Sequence, residues 1–150
     1  MNHLLKQSIR QGRYARLNNK DKIEYLKRYN VCLKEVDRLR DEKERLKSIR
    51  DKITPTYSDM PKGGGTDKSD IAASIIDLDL EIDDQMSKWL QYGEEIKQAI
   101  DTVQDSNLKL LLKYRYINNM TFEQIAVVMN YTWRNIHYLH KKALDLVNIS

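Results

Sequence analysis

Residues 71–103 read IAASIIDLDLEIDDQMSKWLQYGEEIKQAIDTV, and the spacing within this stretch decides the fold. Ile75, Ile82, Trp89, Ile96 and Val103 recur every seven residues, and Ile71, Leu78, Gln85, Tyr92 and Ala99 fill a second position of the same repeat. Seven residues are close to two helical turns, so such a repeat holds one apolar seam against a partner along the whole helix. The pattern predicts a long helix from about Ser69 to Val103. Gly93 falls outside the seam, where one glycine costs only about 1 kcal/mol.

Upstream of this helix stands TPTYSDMPKGGGTDKSD, residues 54–70. Pro55 and Pro61 cannot continue a helix and three successive glycines carry no local preference, so residues 54–68 read as a loop. The Lys62-Gly-Gly-Gly order is not that of a phosphate-binding loop, which needs Gly-Lys-Ser/Thr between a strand and a helix. A hairpin turn is the better reading. Before the loop, Tyr25, Cys32, Leu39, Leu46 and Ile53 again step by seven, with Tyr29, Val36 and Ile49 beside them. Lys43 and Arg50 interrupt this seam, which weakens an isolated helix and favours a partner. The two predicted helices have matched lengths of about 50 Å at 1.5 Å per residue. Folding back at the loop would set Leu46 near Ile75, Leu39 near Ile82 and Cys32 near Trp89.

Charge supports the same pairing. Residues 1–57 carry 16 Lys/Arg against 8 Asp/Glu, residues 58–103 carry 4 against 11, and residues 104–150 carry 6 against 3. The balances are therefore +8, −7 and +3 within a total of +4. A basic helix laid on an acidic one selects the hairpin over association of like-charged helices, although each exposed pair contributes little. The expected class is all-α: residues 1–103 as a basic arm and an antiparallel coiled-coil hairpin, residues 104–150 as a second, helical domain.

Composition narrows the function classes. Five Gly, two Pro and one Phe in 150 residues suit helices with narrow apolar seams. No apolar run approaches membrane-spanning length, and LLKQSI near the start is too short for a secretory signal, so a cytoplasmic protein is expected. Cys32 is the sole cysteine and reads as a buried, inert thiol. His137 and His140 lie three apart without a third ligand in view, which argues against zinc. No nucleophile–base arrangement stands in a recognisable context, and Asp83-Asp84 belongs to a charged face. Neither catalysis, a metal nor another cofactor is expected.

The C-terminal segment departs from the seven-residue repeat. SNLKLLLKYRYI gives a short helix with Leu108, Leu111, Leu112 and Tyr116 on its apolar side. Thr121 followed by Gln124 is a capping-box signature for a second helix whose inner face is Ile125, Ala126 and Met129. Asn130 stands at the break and tolerates the left-handed conformation a sharp turn needs. Thr132 can cap a last helix with Ile136, Leu139, Ala143, Leu144 and Val147 as its buried stripe. Trp133, Arg134, His137, Tyr138 and Lys141 point outward. A bundle corner and a DNA-reading helix-turn-helix share this spacing. The outer face favours the second: a solvent-facing helix start usually carries acids, whereas this one has none until Asp145.

The stretch LLKYRYINNMTFEQIAVVMNYTWRNIHYLHKKALDLV resembles the helix-turn-helix of region 4 of bacterial sigma factors, through RYI, TFEQIA, T-x-x-x-I and KKAL. With its PTYSDMPKGGG loop, the chain as a whole resembles phage-encoded late regulators of the RinA/ArpU kind. The resemblance implies a sequence-specific DNA-binding regulator that activates phage late genes, with host RNA polymerase as a further partner. It places Trp133, Arg134, His137 and Tyr138 in base-reading positions and Arg115, Thr121 and Lys142 in phosphate-contacting ones, with Lys141 beside them. Sigma factors carry an acid where Arg134 stands, so their usual promoter hexamer is not the expected target. No segment resembles the promoter-melting or main polymerase-binding regions, so a complete sigma factor is not expected.

Two rivals come from other classes. A small-terminase-like packaging protein also joins a helix-turn-helix to helical oligomerisation elements and would form large rings. A helical interaction protein would use the hairpin alone and show no affinity for duplex DNA; the hairpin could equally serve a homo-oligomer. The first twenty residues hold five Lys/Arg and no acid. They fit an arm along phosphates and a short amphipathic helix equally well.

Overall fold

The computed structural model describes residues 17–53 and 68–149. The expectations for the N-terminal arm before Leu17 and for most of the Pro/Gly loop lie outside the described residues. Those described form five α-helices: α1 (Asn19–Lys52), α2 (Lys68–Asp101), α3 (Ser106–Tyr116), α4 (Phe122–Met129) and α5 (Trp133–Leu146). No strand occurs among them, and the protein is all-α, with the two long helices as a hairpin ahead of three short ones. The second long helix starts and stops within two residues of the bounds its repeat predicts. Asn18 starts α1 by accepting a 2.9 Å hydrogen bond from the Asp21 N–H.

Contacts divide the described residues into two compact units, one within residues 32–88 and one of residues 17–31 with 89–149. In the first, the expected seams meet: Cys32, Val36 and Leu39 of α1 and Ile71, Ile75 and Ile82 of α2 are buried. The Cys32 thiol donates to the Gln85 carbonyl oxygen at 3.2 Å. Burial pushes this thiol up, away from the reactive thiolate. Lys43, which breaks the α1 seam, is paired with Asp79 of α2. A charge at a seam position disfavours other registers unless an acid stands opposite it. Glu35–Arg38 and Glu42–Arg45, by contrast, run along α1 itself, where exposed pairs add little.

The second unit packs the first turns of α1 and the end of α2 against the short helices. Its core holds Tyr25 and Leu26 of α1, Ile96, Ala99, Ile100 and Val103 of α2, Leu108, Leu112 and Tyr116 of α3, and Ala143, Leu144 and Val147. The expected boundary after Val103 therefore falls inside one core, because the ends of both long helices supply its floor. Polar ties reinforce it. Asn30 donates to the Tyr116 carbonyl at 2.9 Å, and Lys22 donates to the Leu144 carbonyl at 2.7 Å, capping the end of α5. Arg28 meets Glu95 at 2.7 Å with its guanidinium over the Tyr25 and Tyr92 rings. Trp89 stacks on Tyr29 with ring centroids 5.3 Å apart. Gly93 lies beside the same ring: a Cβ there would stand 2.9 Å from Tyr29. The glycine outside the seam thus has a packing reason the repeat does not reveal.

Candidate nucleic-acid interface

Three local devices set the short helices at fixed angles. Asp105 caps α3 by accepting from the Asn107 and Leu108 N–H groups. The chain leaves α3 through Asn119, whose φ of 53° is left-handed, and Arg115 donates to the Met120 carbonyl at 2.9 Å across this corner. Thr121 then starts α4 with a complete capping box: its hydroxyl accepts from the Gln124 N–H and the Gln124 side chain accepts from the Thr121 N–H. Asn130 adopts the left-handed conformation expected of it, at φ 56°. The Tyr131 N–H bonds to the Ala126 carbonyl at 2.9 Å, the six-to-one closure of a Schellman turn. Thr132 caps α5 by accepting from the Asn135 N–H. Helices α4 and α5 are thus joined by Asn130, Tyr131 and Thr132, the connection length of a helix-turn-helix.

Beneath the turn, Leu111, Ile125, Ala126 and Ile136 form a buried cluster ringed by Tyr114, Met120, Phe122, Met129, Tyr131 and Leu139. Ala126 lets α5 cross closely, as its size suggests. Arg134, Tyr138, Lys141 and Lys142 stand exposed on the opposite side of α5, and Trp133 is exposed at its start. The helix carries no acid in its first turn. This face offers a guanidinium, a phenol, an indole and two ammonium groups from one helix.

His137 departs from its expected outward position. Its ring lies between Phe122, at 4.4 Å, and Trp133, at 4.0 Å, and its Nε2 is buried without a hydrogen-bond partner among the described residues. The Arg115 guanidinium sits 4.3 Å from the centre of the Phe122 ring. Arg115, Phe122, His137 and Trp133 therefore form one chain of contacts, in which the His137 ring is tilted against both aromatic neighbours. Glu123 closes it by accepting from the Trp133 Nε1–H at 3.3 Å. Hydrogen bonds from its own backbone, Thr121 and Trp133 hold the Glu123 carboxyl below the usual carboxylate range. Arg115 is half-buried here, but a guanidinium has five N–H donors and the Met120 carbonyl takes one. The Thr121 hydroxyl likewise serves the cap and stands at the surface.

His140, one turn along, is buried and shares a 2.7 Å hydrogen bond with the Tyr116 hydroxyl. Burial pushes this imidazole down to about 4, with Arg115, His137 and Lys27 acting in the same direction, so it is neutral near pH 7. Burial also pushes the Tyr116 phenol up. The pair is a polar contact inside the α3–α5 packing. Its sequence signal was the four-residue step Ile136, His140, Leu144. Phe122 and Glu123 carried a weaker signal, as the first two residues after the Thr121 cap. Among the described residues, no group of three His, Cys, Asp or Glu is placed to hold a metal ion, and no helix is long and apolar enough to cross a membrane.

A family profile described as Protein of unknown function (DUF1492) matches residues 53–148. The chain belongs to the DUF1492 family. The matched segment takes in the loop, α2 and all of α3–α5, and α1 precedes it. No curated protein and no solved structure matches the chain.

Proposed function

We propose that this protein is a sequence-specific DNA-binding transcriptional regulator whose α5 reads the major groove. The observation that carries the reading is the exposed face of α5. Arg134, Tyr138, Lys141 and Lys142 project from a helix with no acid in its first turn, capped by Thr132 and set against α4 by a three-residue turn. Arg134, in the first turn, is the base reader: a guanidinium can form two hydrogen bonds to a guanine edge, worth about 1–3 kcal/mol of discrimination. Tyr138, one turn further on, suits a neighbouring base or sugar. Lys141 and Lys142 lie further down the helix and suit phosphates, which add affinity without sequence information. Trp133 has the position and exposure to meet the groove edge. His137 acts through Trp133 by backing its indole. The resemblance to phage late regulators supports activation of late genes as the biological role, with host RNA polymerase as partner.

The test selects duplexes from a random pool with the wild-type chain, then measures binding of two variants. Arg134→Ala should relax preference at one or two base pairs and leave non-specific affinity nearly intact. Lys142→Ala should lower specific and non-specific affinity together and reduce the salt slope by about 0.9. Identical effects of the two changes on every duplex would show that α5 does not read sequence.

A further inference from the structure

Besides its seam, α2 carries a second apolar line, and this one faces solvent. Ile76 is 60% exposed and Leu80 is 65% exposed. At about 100° per residue the two stand roughly 40° apart, one turn from each other, with the exposed Ala73 in the turn before. Apolar side chains scattered singly over a surface are ordinary, but a line of them marks a place for a partner. The surroundings of this line are acidic. Residues 71–87 hold five Asp/Glu and no Lys/Arg. Asp83 and Asp84 follow one turn after Leu80, and Asp77 stands beside Ile76, all three exposed. Asp84 pairs with Lys88, but among the described residues no ion pair engages Asp77 or Asp83.

Residues 1–16 supply the complementary pattern in sequence, with four Lys/Arg and no acid. On helical spacing Leu4, Leu5 and Ile9 fall within an arc of about 140°, and Lys6, Arg10 and Arg13 fall within an adjoining arc of about 60°. An apolar arc with a basic one beside it matches an apolar line with acids beside it. We propose that residues 1–16 of one copy dock as an amphipathic helix on the Ile76–Leu80 face of α2 in a second copy, and that two copies exchange arms in this way as a two-fold dimer. The arm comes from the second copy because of its length. Asp79 of the same α2 segment pairs with Lys43 of α1, and from Asn19 to Lys43 that helix rises about 36 Å. A helix of sixteen residues spans only about 24 Å and falls short of its own chain's face. This proposal is independent of the DNA-binding reading.

Sedimentation equilibrium on the full chain tests it, and the wild type should be a dimer. Leu5→Gln with Ile9→Gln, on the arm, should raise the dimer dissociation constant roughly tenfold or more, because two large apolar side chains leave each contact. Ile76→Gln with Leu80→Gln, on the face, should do the same, and since both residues are exposed its circular dichroism should match the wild type. An equal mixture of the arm variant and the face variant should associate more tightly than either alone. In that pair the intact arm of one chain still meets the intact face of the other. A mixture no tighter than its components would overturn the proposal. So would a dimer lost in the face variant and kept in the arm variant, which would mean two α2 faces meeting each other. A wild type that stays monomeric at every concentration would overturn it too.

Discussion

Mild acid should loosen the α3–α5 packing through one side chain, His140. In the folded protein its imidazole takes a proton only near pH 4, because burial disfavours the charged ring. In the unfolded chain it does so at its ordinary value of 6.5. Between those values the unfolded chain holds a proton that the folded one refuses, so stability falls as pH falls through this window. Above 6.5 both forms are neutral and the contribution is complete. At 1.36 kcal/mol per unit the full effect is about 3 kcal/mol, of which about 2 kcal/mol is lost by about pH 5. Against a total stability of roughly 5–15 kcal/mol this is a large fraction. The measurement is urea unfolding followed by circular dichroism at about pH 7.5 and about pH 5, for the wild type and for His140→Gln. Glutamine can keep a hydrogen bond to the Tyr116 hydroxyl but cannot titrate. The other ionisable groups are common to both proteins, so the difference isolates His140. The wild type should lose about 2 kcal/mol more than the variant on going to the lower pH. Equal losses, or a larger loss in the variant, would refute the argument.

Two further outcomes bear on the hairpin. Gly93→Ala should destabilise by about 1 kcal/mol despite its better helix propensity, since the new Cβ meets the Tyr29 ring that Trp89 holds in place. In a Tyr29→Ala background the same change should become stabilising by up to ~1 kcal/mol in thermal unfolding; a stabilised Gly93→Ala in the intact protein would refute the close approach. Cysteines introduced at Leu46 and Ile75, with Cys32 replaced by alanine, should be joined within one chain by a short bismaleimide. Links found only between chains would mean a swapped or parallel coiled coil.

How far these features could be read from the sequence follows from what a repeat can encode. A seven-residue period specifies which face of a helix is covered, and so Val36, Leu39, Ile75, Ile82 and Ile96 were legible, along with the bounds of α2 and the antiparallel return. Caps were equally legible, because Thr121, Gln124, Asn130 and Thr132 act on backbone groups within a few residues of themselves. Contacts made at an angle to the helix axis were not. Leu26 and Asn30 lie outside the α1 seam yet are buried, because α3 and α5 cover a second face of that helix. Gly93 reads as a mild defect in the sequence because the Tyr29 ring that needs its space comes from the opposite helix.

The same distinction governs the candidate site. Position on α5 assigned Arg134, Tyr138, Lys141 and Lys142 to the exposed side, and they are there. Position alone put His137 outward with them. Two rings and a guanidinium outweigh that position: Phe122 from the start of α4 and Trp133 from the preceding turn cover the imidazole, and Arg115 covers Phe122 in turn. Tilted aromatic and cation–π contacts of this kind are worth about 0.5–1.5 kcal/mol each beyond their buried area. The contact with His137 also restrains Trp133 at an exposed helix start, and Glu123 orients the indole N–H. Under the proposed reading, in which this face meets a rigid duplex, it gains from side chains held before contact, because less freedom is lost on binding. His137, Phe122 and Glu123 are therefore best understood as the backing of the surface, with Arg134, Tyr138 and the two lysines as the surface itself.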